Sequence, residues 1–410
     1  MSSSESLTNT EQSLSRTSFY ILIAGILANT IGQSFIFAIL PPLGREVALT
    51  EVQTTSIISA SALLFTFCSP WWGRQSDRVG RKIVIVIGLT GYAAGTLVFA
   101  GVFALGMSGV LSGTVLYITL MLARCGQSSL MAATSPGVTA YAADHTSRAL
   151  RTRTLARLGT ANSLGFIIGP VIAGVLAGFG LLVPLYVAAA LTFAAVFVLW
   201  RRLPEAPKET TSHTKVPRLS VFDTRLRVYL LSAVGTFTAF SAVQQTLGFR
   251  IQDSLSLDGI ETAQYTGAAL MVSAFFTLVL QLTVAQRYSG PALHLIRYGL
   301  AAKVIGCVVI SIGASPAMIL AGMSFIGAGL GLLGPAISAG GSLAVSRDEQ
   351  GGAAGLISAC PAAGFIVGPL LGGLMYQVNP GYPSMFAVVL LASVLAYALT
   401  TSSKAQSLAD

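Results

Sequence analysis

The chain has 410 residues, 53% of them hydrophobic and only 10% charged, with a formal net charge of +9. A soluble surface is about a quarter or more charged, so this composition excludes a soluble globular protein and describes one embedded in a membrane. The basic excess does not indicate nucleic acid, because Lys and Arg fall in short connections between apolar runs rather than on one face of a domain.

The chain opens on a polar stretch, Met1 to Thr17, that carries Glu5 and Glu11. It lacks the basic start and small-residue cleavage site of a secretory signal, so the first apolar run is expected to stay as a membrane helix. A bilayer core takes roughly 20 apolar residues per helix. Runs of that kind predict twelve spans: Phe19 to Leu40, Thr54 to Trp72, Ile83 to Leu105, Val115 to Ala143, Leu155 to Phe179, Leu181 to Trp200, Val228 to Phe249, Tyr265 to Gln286, Leu293 to Gly313, Met318 to Val345, Gly352 to Tyr376 and Tyr382 to Thr400. The fold class is therefore an all-α membrane protein of twelve transmembrane helices. Basic residues gather between the second and third spans (Arg74, Arg78, Arg81, Lys82), around the turn from the fourth to the fifth (Arg148, Arg151, Arg153, Arg157) and between the sixth and seventh (Arg201 to Arg227). The other face carries only Arg45 and Arg250, so both termini are expected in the cytoplasm.

The organisation that follows is a cytoplasmic tail (1–18), a six-helix half (19–200), a polar linker (201–227), a second six-helix half (228–400) and a cytoplasmic tail (401–410). The halves are copies of one unit. Gly165-Phe166-Ile167-Ile168-Gly169-Pro170-Val171-Ile172-Ala173-Gly174 returns 199 residues later as Gly364-Phe365-Ile366-Val367-Gly368-Pro369-Leu370-Leu371-Gly372-Gly373. The same register maps Pro136 onto Pro335 and Ser147-Arg148 onto Ser346-Arg347. Six helices per half preserve direction, so the repeat is parallel, about an axis along the membrane normal. Ala161, Gly165, Gly169 and Ala173 recur every fourth residue and form a small-residue stripe on which helices can pack closely, with Cys360, Gly364, Gly368 and Gly372 in the copy. Pro170 and Pro369 remove one backbone bond each and allow bending. Packing and a role in changing access are both open for these two helices.

Between the second and third spans runs Gly73-Arg74-Gln75-Ser76-Asp77-Arg78-Val79-Gly80-Arg81-Lys82, where Gly73 and Gly80 are expected to permit a tight turn and Asp77 sets a carboxylate among four cations. This resembles the G-x-x-x-D-R-x-G-R-[KR] signature of the major facilitator superfamily, and the match is complete. Gly165 to Gly174 is similar to the antiporter motif of that family's fifth helix, departing at Ala173 where Gly is usual. Leu120 to Ser128 resembles the fourth-helix motif, with Arg124 and Gln127 in place and Ser128 where Gly is usual. Gly32 with Pro41-Pro42 looks, more loosely, like the first-helix pattern of twelve-helix drug:proton antiporters. The resemblance implies a secondary active transporter that exports a small organic molecule by proton antiport and rocking of two halves. It needs no cofactor beyond the proton gradient, acts as a monomer with substrate and membrane lipid as its partners, and lies in a bacterial inner membrane. No nucleic-acid partner, metal ligand set or catalytic constellation is expected, so the chain is not read as an enzyme. Asp77, Arg78, Arg81 and Asp144 with Gly73 and Gly80 are expected to form a cytoplasmic gate. In it Asp144 would pair with Arg78 or Arg148, and Asp77 would cap the eleventh helix at Gly351-Gly352.

Candidate cavity residues are Arg124 and Gln127, Asn29 and Gln33 on the first helix, and Gln244 and Gln245 on the seventh. A charge near the bilayer centre costs about 3 kcal/mol even on the lenient insertion scale, which makes Arg124 the sharpest of them. No carboxylate falls at mid-membrane, so a cavity holding Arg124 should favour an anionic, zwitterionic or polar substrate such as a siderophore-like metabolite. The alternative is a multidrug efflux pump for neutral lipophilic compounds; an uptake symporter is less favoured. Lys303 is expected to snorkel from the cytoplasmic end of the ninth helix. Cys68, Cys125, Cys307 and Cys360 lie in apolar spans without C-x-x-C spacing and read as packing residues.

Overall fold

Every regular element among the described residues is a helix, and their order is α1 (Arg16–Glu46), α2 (Glu51–Val79), α3 (Arg81–Met107), α4 (Gly113–Met131), α5 (Thr134–Asp144), α6 (Arg148–Ala177), α7 (Val183–Arg202), α8 (Arg227–Leu255), α9 (Gly259–Leu280), α10 (Ala292–Ile312), α11 (Pro316–Leu343), α12 (Gln350–Val378) and α13 (Tyr382–Thr400). The computed structural model describes residues 15–205, 219–313 and 315–401, and no strand occurs among them. Most of both expected tails, and 206–218 of the expected linker, lie outside the described residues. α4 and α5 together make one crossing, and α9 continues through a π-helical turn, Gln281–Ala285. Eleven crossings are long and apolar enough to span a membrane; α8, diluted by Gln244, Gln245, Arg250 and Asp253, is the twelfth. An even number of crossings puts the two ends of the described chain on one side, here the termini side.

The helix ends follow local chemistry. Thr50 caps α2 through a reciprocal box with Gln53, Asp258 caps α9 at the Glu261 amide, and Ser315 caps α11 ahead of Pro316. α2 and α9 start on the side opposite the termini, so these polar residues stand at the membrane border. The close division between the fifth and sixth crossings is made by Gly178 and by Gly180, whose φ of +132° a side chain would strain. Large apolar residues such as Phe67, Leu122, Phe197, Phe275 and Val389 are exposed, as a lipid-facing surface requires.

Each half packs its fifth helix on its first in the same way. Ser34 of α1 donates to the Gly165 carbonyl at 3.2 Å, and Ser241 of α8 donates to the Gly364 carbonyl at 2.8 Å. A Cβ at Gly169 or Gly368 would overlap the hydroxyl of Ser34 or Ser241, so only glycine fits. The halves meet where α2 packs on α12, α6 on α9, and α1 on α8 and α9.

Four local expectations change. The fourth crossing breaks at Ala132 and Ala133, because Pro136 supplies no N–H to the carbonyl of Ala132, and the start of α5 lies so close to α3 that a Cβ at Gly88 would meet the Thr134 backbone at 2.6 Å. Pro335, its repeat partner, sits inside the unbroken α11. α6 begins at Arg148 rather than Leu155, since a helix need not start where the apolar run begins. Gly73 is not in a turn: α2 runs to Val79 and only Gly80, at φ +114°, separates it from α3. Gly73 instead lies 3.7 Å from Pro136 of α5, counted from the Cβ position it lacks. Lys303 does not snorkel. It sits eleven residues into α10, roughly 16 Å from its start at 1.5 Å per residue, and is 0% exposed.

Candidate functional site

The signature connection forms one ion cluster. Arg81, at the start of α3, bridges Asp77 of α2 and Asp144 at the end of α5 (2.9 Å), and donates to Ser76 at 2.6 Å. Asp144 therefore pairs with Arg81 and not with Arg78, which is exposed; the side chain of Arg148, the other expected partner, lies outside the described residues. Asp77 does not cap α12 at Gly351-Gly352: its partner is Arg81 of its own half and its side chain is 41% exposed. Gly73, Asp77, Arg81, Pro136, Ala140 and Asp144 border a crevice of about 330 Å³ lined by the first half alone. In the second half, Arg225 at the head of α8 holds Asp223 and Glu349, at 2.8 and 2.9 Å. The Arg225 guanidinium, with the Ser346 hydroxyl and amide, keeps the Glu349 carboxyl down at about 2. Arg225 likewise lowers Asp223, and the two carboxylates raise Arg225, Asp223 most.

At mid-span, Arg124 and Gln127 are buried on one face of α4. Arg124 donates to Gln127 Oε1 at 2.6 Å, and Gln127 donates in turn to Thr96 Oγ1 at 2.6 Å and to the Tyr92 carbonyl at 3.1 Å, both on α3. The guanidinium lies 5.8 Å from the Phe99 ring centroid. Ser128 stands where glycine is usual and donates to the Ser61 carbonyl of α2 at 2.6 Å. Among the described residues no carboxylate hydrogen-bonds or pairs with Arg124. Asn29, Gln244 and Gln245 are buried, each with one amide atom lacking a protein partner, and Gln33 is half-buried. Among the described residues no hydrogen bond joins these amides to the network of Arg124, Gln127, Thr96 and Tyr92. Lys303 forms a second buried polar point: its Nζ donates to the Thr236 carbonyl of α8 at 2.8 Å and lies 5.5 Å from the Phe240 ring centroid.

A third cluster, unforeseen in the sequence, closes the side opposite the termini. Arg45 of α1 chelates Asp253 of α8, with one contact at 2.9 Å, and reaches Glu51 of α2 at 3.0 Å. Tyr376 of α12 donates to Asp253 at 2.7 Å, and the Arg45 guanidinium lies 5.1 Å from the Phe249 ring centroid. Two helices from each half thus share one ionic knot. The available signal was that a charge-poor face held two arginines beside several carboxylates; the pairing, across 208 residues, was not readable. Around it, a Cβ at Gly174 would lie 3.3 Å from the Gln264 backbone, a Cβ at Gly267 would lie 2.5 Å from the Pro170 carbonyl, and a Cβ at Gly373 would overlap Thr55. The two motif copies therefore divide their work. Gly165, Gly169, Gly364 and Gly368 pack inside a half, whereas Gly174 and Gly373 face the opposite half.

Known proteins bear on this arrangement. Residues 22–360 match the family model described as Major Facilitator Superfamily. Multidrug resistance protein 2 of Bacillus subtilis is 28% identical over 382 residues, 91% of this chain and 92% of that protein. Multidrug resistance protein 1 of the same organism is 29% identical, covering 94% and 96%. The quinolone resistance protein NorA of Staphylococcus aureus is 25% identical, covering 92% and 94%. Among solved structures, the nucleoside transporter NupG has a TM-score of 0.73 at 15% identity over 94% of this chain and 100% of that one. A bacterial homologue of the human lysosomal transporter Spinster, inward-facing and occupied, has a TM-score of 0.72 at 15% identity over 95% and 94%.

Proposed function

The chain belongs to the Major Facilitator Superfamily, and on that premise we propose that it is a broad-specificity efflux transporter of small lipophilic organic molecules in a bacterial plasma membrane. The observation that carries this reading is near-full-length similarity to proteins named for multidrug resistance. The geometry supports it. The halves are tied on the side opposite the termini by Arg45, Asp253 and Tyr376, while the Asp77 cluster on the termini side holds only its own half. With the termini in the cytoplasm, as the basic connections suggest, this is the state in which an exporter loads. Proton antiport is the energy source we assign, with a monomer as the working unit. A second reading, export of an anionic metabolite, rests on Arg124, buried without a carboxylate partner; the relatives favour drug efflux over it.

Reconstitution into liposomes with an imposed pH gradient tests both. Concentrative uptake of a neutral lipophilic dye into acid-loaded, inside-out vesicles, abolished when the gradient is collapsed, is expected. Uptake indifferent to the gradient would remove antiport. Gradient-driven movement of carboxylate metabolites and of no lipophilic dye would replace the efflux reading with the second one.

A further inference from the structure

Lys303 lies in the middle of a crossing with none of its surface exposed, on a stem for which α11 makes room. A Cβ at Gly329 would overlap Lys303 Cγ and meet the Gly299 carbonyl at 2.5 Å, so only glycine there admits the lysine. The side chain reaches α8, where Nζ donates to the Thr236 carbonyl at 2.8 Å beside the Phe240 ring. An ammonium has three N–H donors, and among the described residues one acceptor takes one of them. A neutral amine keeps two donors and gains a lone pair, so the same carbonyl serves either form.

The Thr236 carbonyl stands on a line of polar side chains. Ser232, Thr236, Phe240 and Gln244 recur every fourth residue on one stripe of α8. Ser232 Oγ, Thr236 Oγ1 and Gln244 Oε1 are buried without a protein partner among the described residues, and such atoms are the ones that ordered water joins. Counted from Arg227 on the termini side at 1.5 Å per residue, Ser232 is roughly 8 Å deep and Thr236 roughly 14 Å, close to the depth of Lys303 in α10. Phe240 interrupts the polar line between Thr236 and Gln244, which keeps the two sides of the membrane apart.

Other groups are poorly suited to exchange a proton at this depth. Every Asp and Glu in the described helices lies within the first or last three residues of its helix. Arg124, buried in the other half, cannot give up its proton. Around Lys303 the titratable neighbour is Cys307, one turn on in α10. α11 has no titratable residue, α13 carries Tyr382 and Tyr397 near its ends, and those of α8 (Arg227, Tyr229, Arg250 and Asp253) lie seven or more residues from Thr236.

We propose that Lys303 carries the coupling proton, exchanged on the termini side through water along Ser232 and Thr236. This rests on the antiport reading and names the group that performs it. On the termini side an Nζ–H bond breaks, its electron pair stays on nitrogen and the proton passes to water. Once the far side opens, the amine takes a proton from water on the Gln244 side and the ammonium forms again. Thr236 shares α8 with Asp253, which Arg45 holds in the seal, so the charge at Lys303 is delivered to a helix that the seal ties down.

The test uses the full chain in acid-loaded, inside-out liposomes, with pyranine trapped inside and the neutral dye N-phenylnaphthylamine outside. Wild type should accumulate the dye while the lumen turns alkaline. Lys303→Met should reduce both to the protein-free level yet keep exchange of labelled for unlabelled dye within about twofold of wild type, because exchange moves no net proton. Lys303→Arg keeps the charge but cannot release a proton, so it should not restore accumulation. Gradient-driven accumulation that survives in either variant would overturn Lys303 as the carrier and leave antiport standing. Wild-type uptake indifferent to the gradient would remove antiport itself. A readout without dye uses chain labelled with ¹³C-lysine, in which the ε-carbon resonance missing from Lys303→Met should shift as the pH is stepped from about 6 to about 9. A resonance fixed over that range would overturn the carrier whatever the dye does.

Discussion

Arg45 has two carboxylates and a tyrosine-held network around it, and its partner Asp253 keeps 40% of its side chain open to solvent. Charge-assisted bidentate pairs are stronger than single ones, but this exposure discounts the gain to roughly 1 kcal/mol, about a fivefold bias toward the sealed state. Asp253→Asn should therefore raise the population with the sealed side open about fivefold, read as a longer distance between spin labels at the exposed Val110 and Val378. An unchanged distance distribution would show that packing alone holds the seal. Lys303 behaves differently, because among the described residues its amino group has one hydrogen-bond acceptor, the Thr236 carbonyl, and no carboxylate partner. Replacing such a group by an apolar one of similar length is neutral or stabilising, so Lys303→Met should leave the thermal midpoint in detergent unchanged or higher. A fall of many degrees would assign the amino group a stabilising bond. Glu349 is held near 2 by Arg225, below its ordinary 4.5. A depressed carboxylate contributes stability that is fully present above 4.5 and is lost as pH falls through that value toward 2. The difference in midpoint between wild type and Glu349→Gln should accordingly be constant from pH 7 to 5 and shrink below that. The effect is small, because the pair is exposed to solvent.

The helices carrying the two motif copies make separable predictions. A methyl group at Gly169 or Gly368 collides with Ser34 or Ser241 inside a half, so Gly169→Val and Gly368→Val should cost about 1–3 kcal/mol or more and appear as loss of folded protein. Gly373→Val collides instead with Thr55 across the halves, and Gly174→Val crowds the Gln264 backbone, 3.3 Å from its Cβ. Each should stay folded and shift the Val110–Val378 distance outward, the same direction as Asp253→Asn. If all four variants lost folded protein alike, the division of the motif between internal packing and the seal would fail. The crossings, the repeat and the signature connection were legible because each is local: a run of about 20 apolar residues, a motif returning after 199, a ten-residue pattern. The break at Ala132 was not, since Pro136 and Pro335 occupy equivalent positions and only the first, beside Gly88 and Thr134, interrupts a crossing. The depth of Lys303 was misjudged because a lone lysine in an apolar run is compatible with snorkelling until the neighbouring glycines show how closely α10 and α11 meet. Arg124 and Gln127 could be placed on one face by their spacing of three. The acceptors of Gln127 on α3, and the carboxylate that Arg45 takes from α8, depend on tertiary contacts that spacing does not encode.

At the scale of the molecule the two clusters on opposite faces describe a single device. On the termini side Asp77, Arg81 and Asp144 sit on an open crevice, with an exposed carboxylate that no described group of the second half engages. On the other side α1, α2, α8 and α12 are drawn together. In the alternating access we propose these conditions exchange, so the seal would break in every cycle. Thr55 and Gly373 are the place to test this, since a Cβ built on Gly373 lies 3.1 Å from the Thr55 Cβ, slightly closer than the roughly 3.5–4.5 Å a disulfide spans, so a small parting of α2 and α12 brings the pair to bonding distance. With Cys68, Cys125, Cys307 and Cys360 replaced by alanine, the pair Thr55→Cys and Gly373→Cys should cross-link on mild oxidation. Transport into liposomes should then stop and return when the bond is reduced, whereas either cysteine alone should leave the rate insensitive to oxidant. Loss of movement while the dye still binds from the termini side would place the block at opening rather than at loading. Transport that continued through the cross-link would show that the substrate leaves without parting α2 from α12.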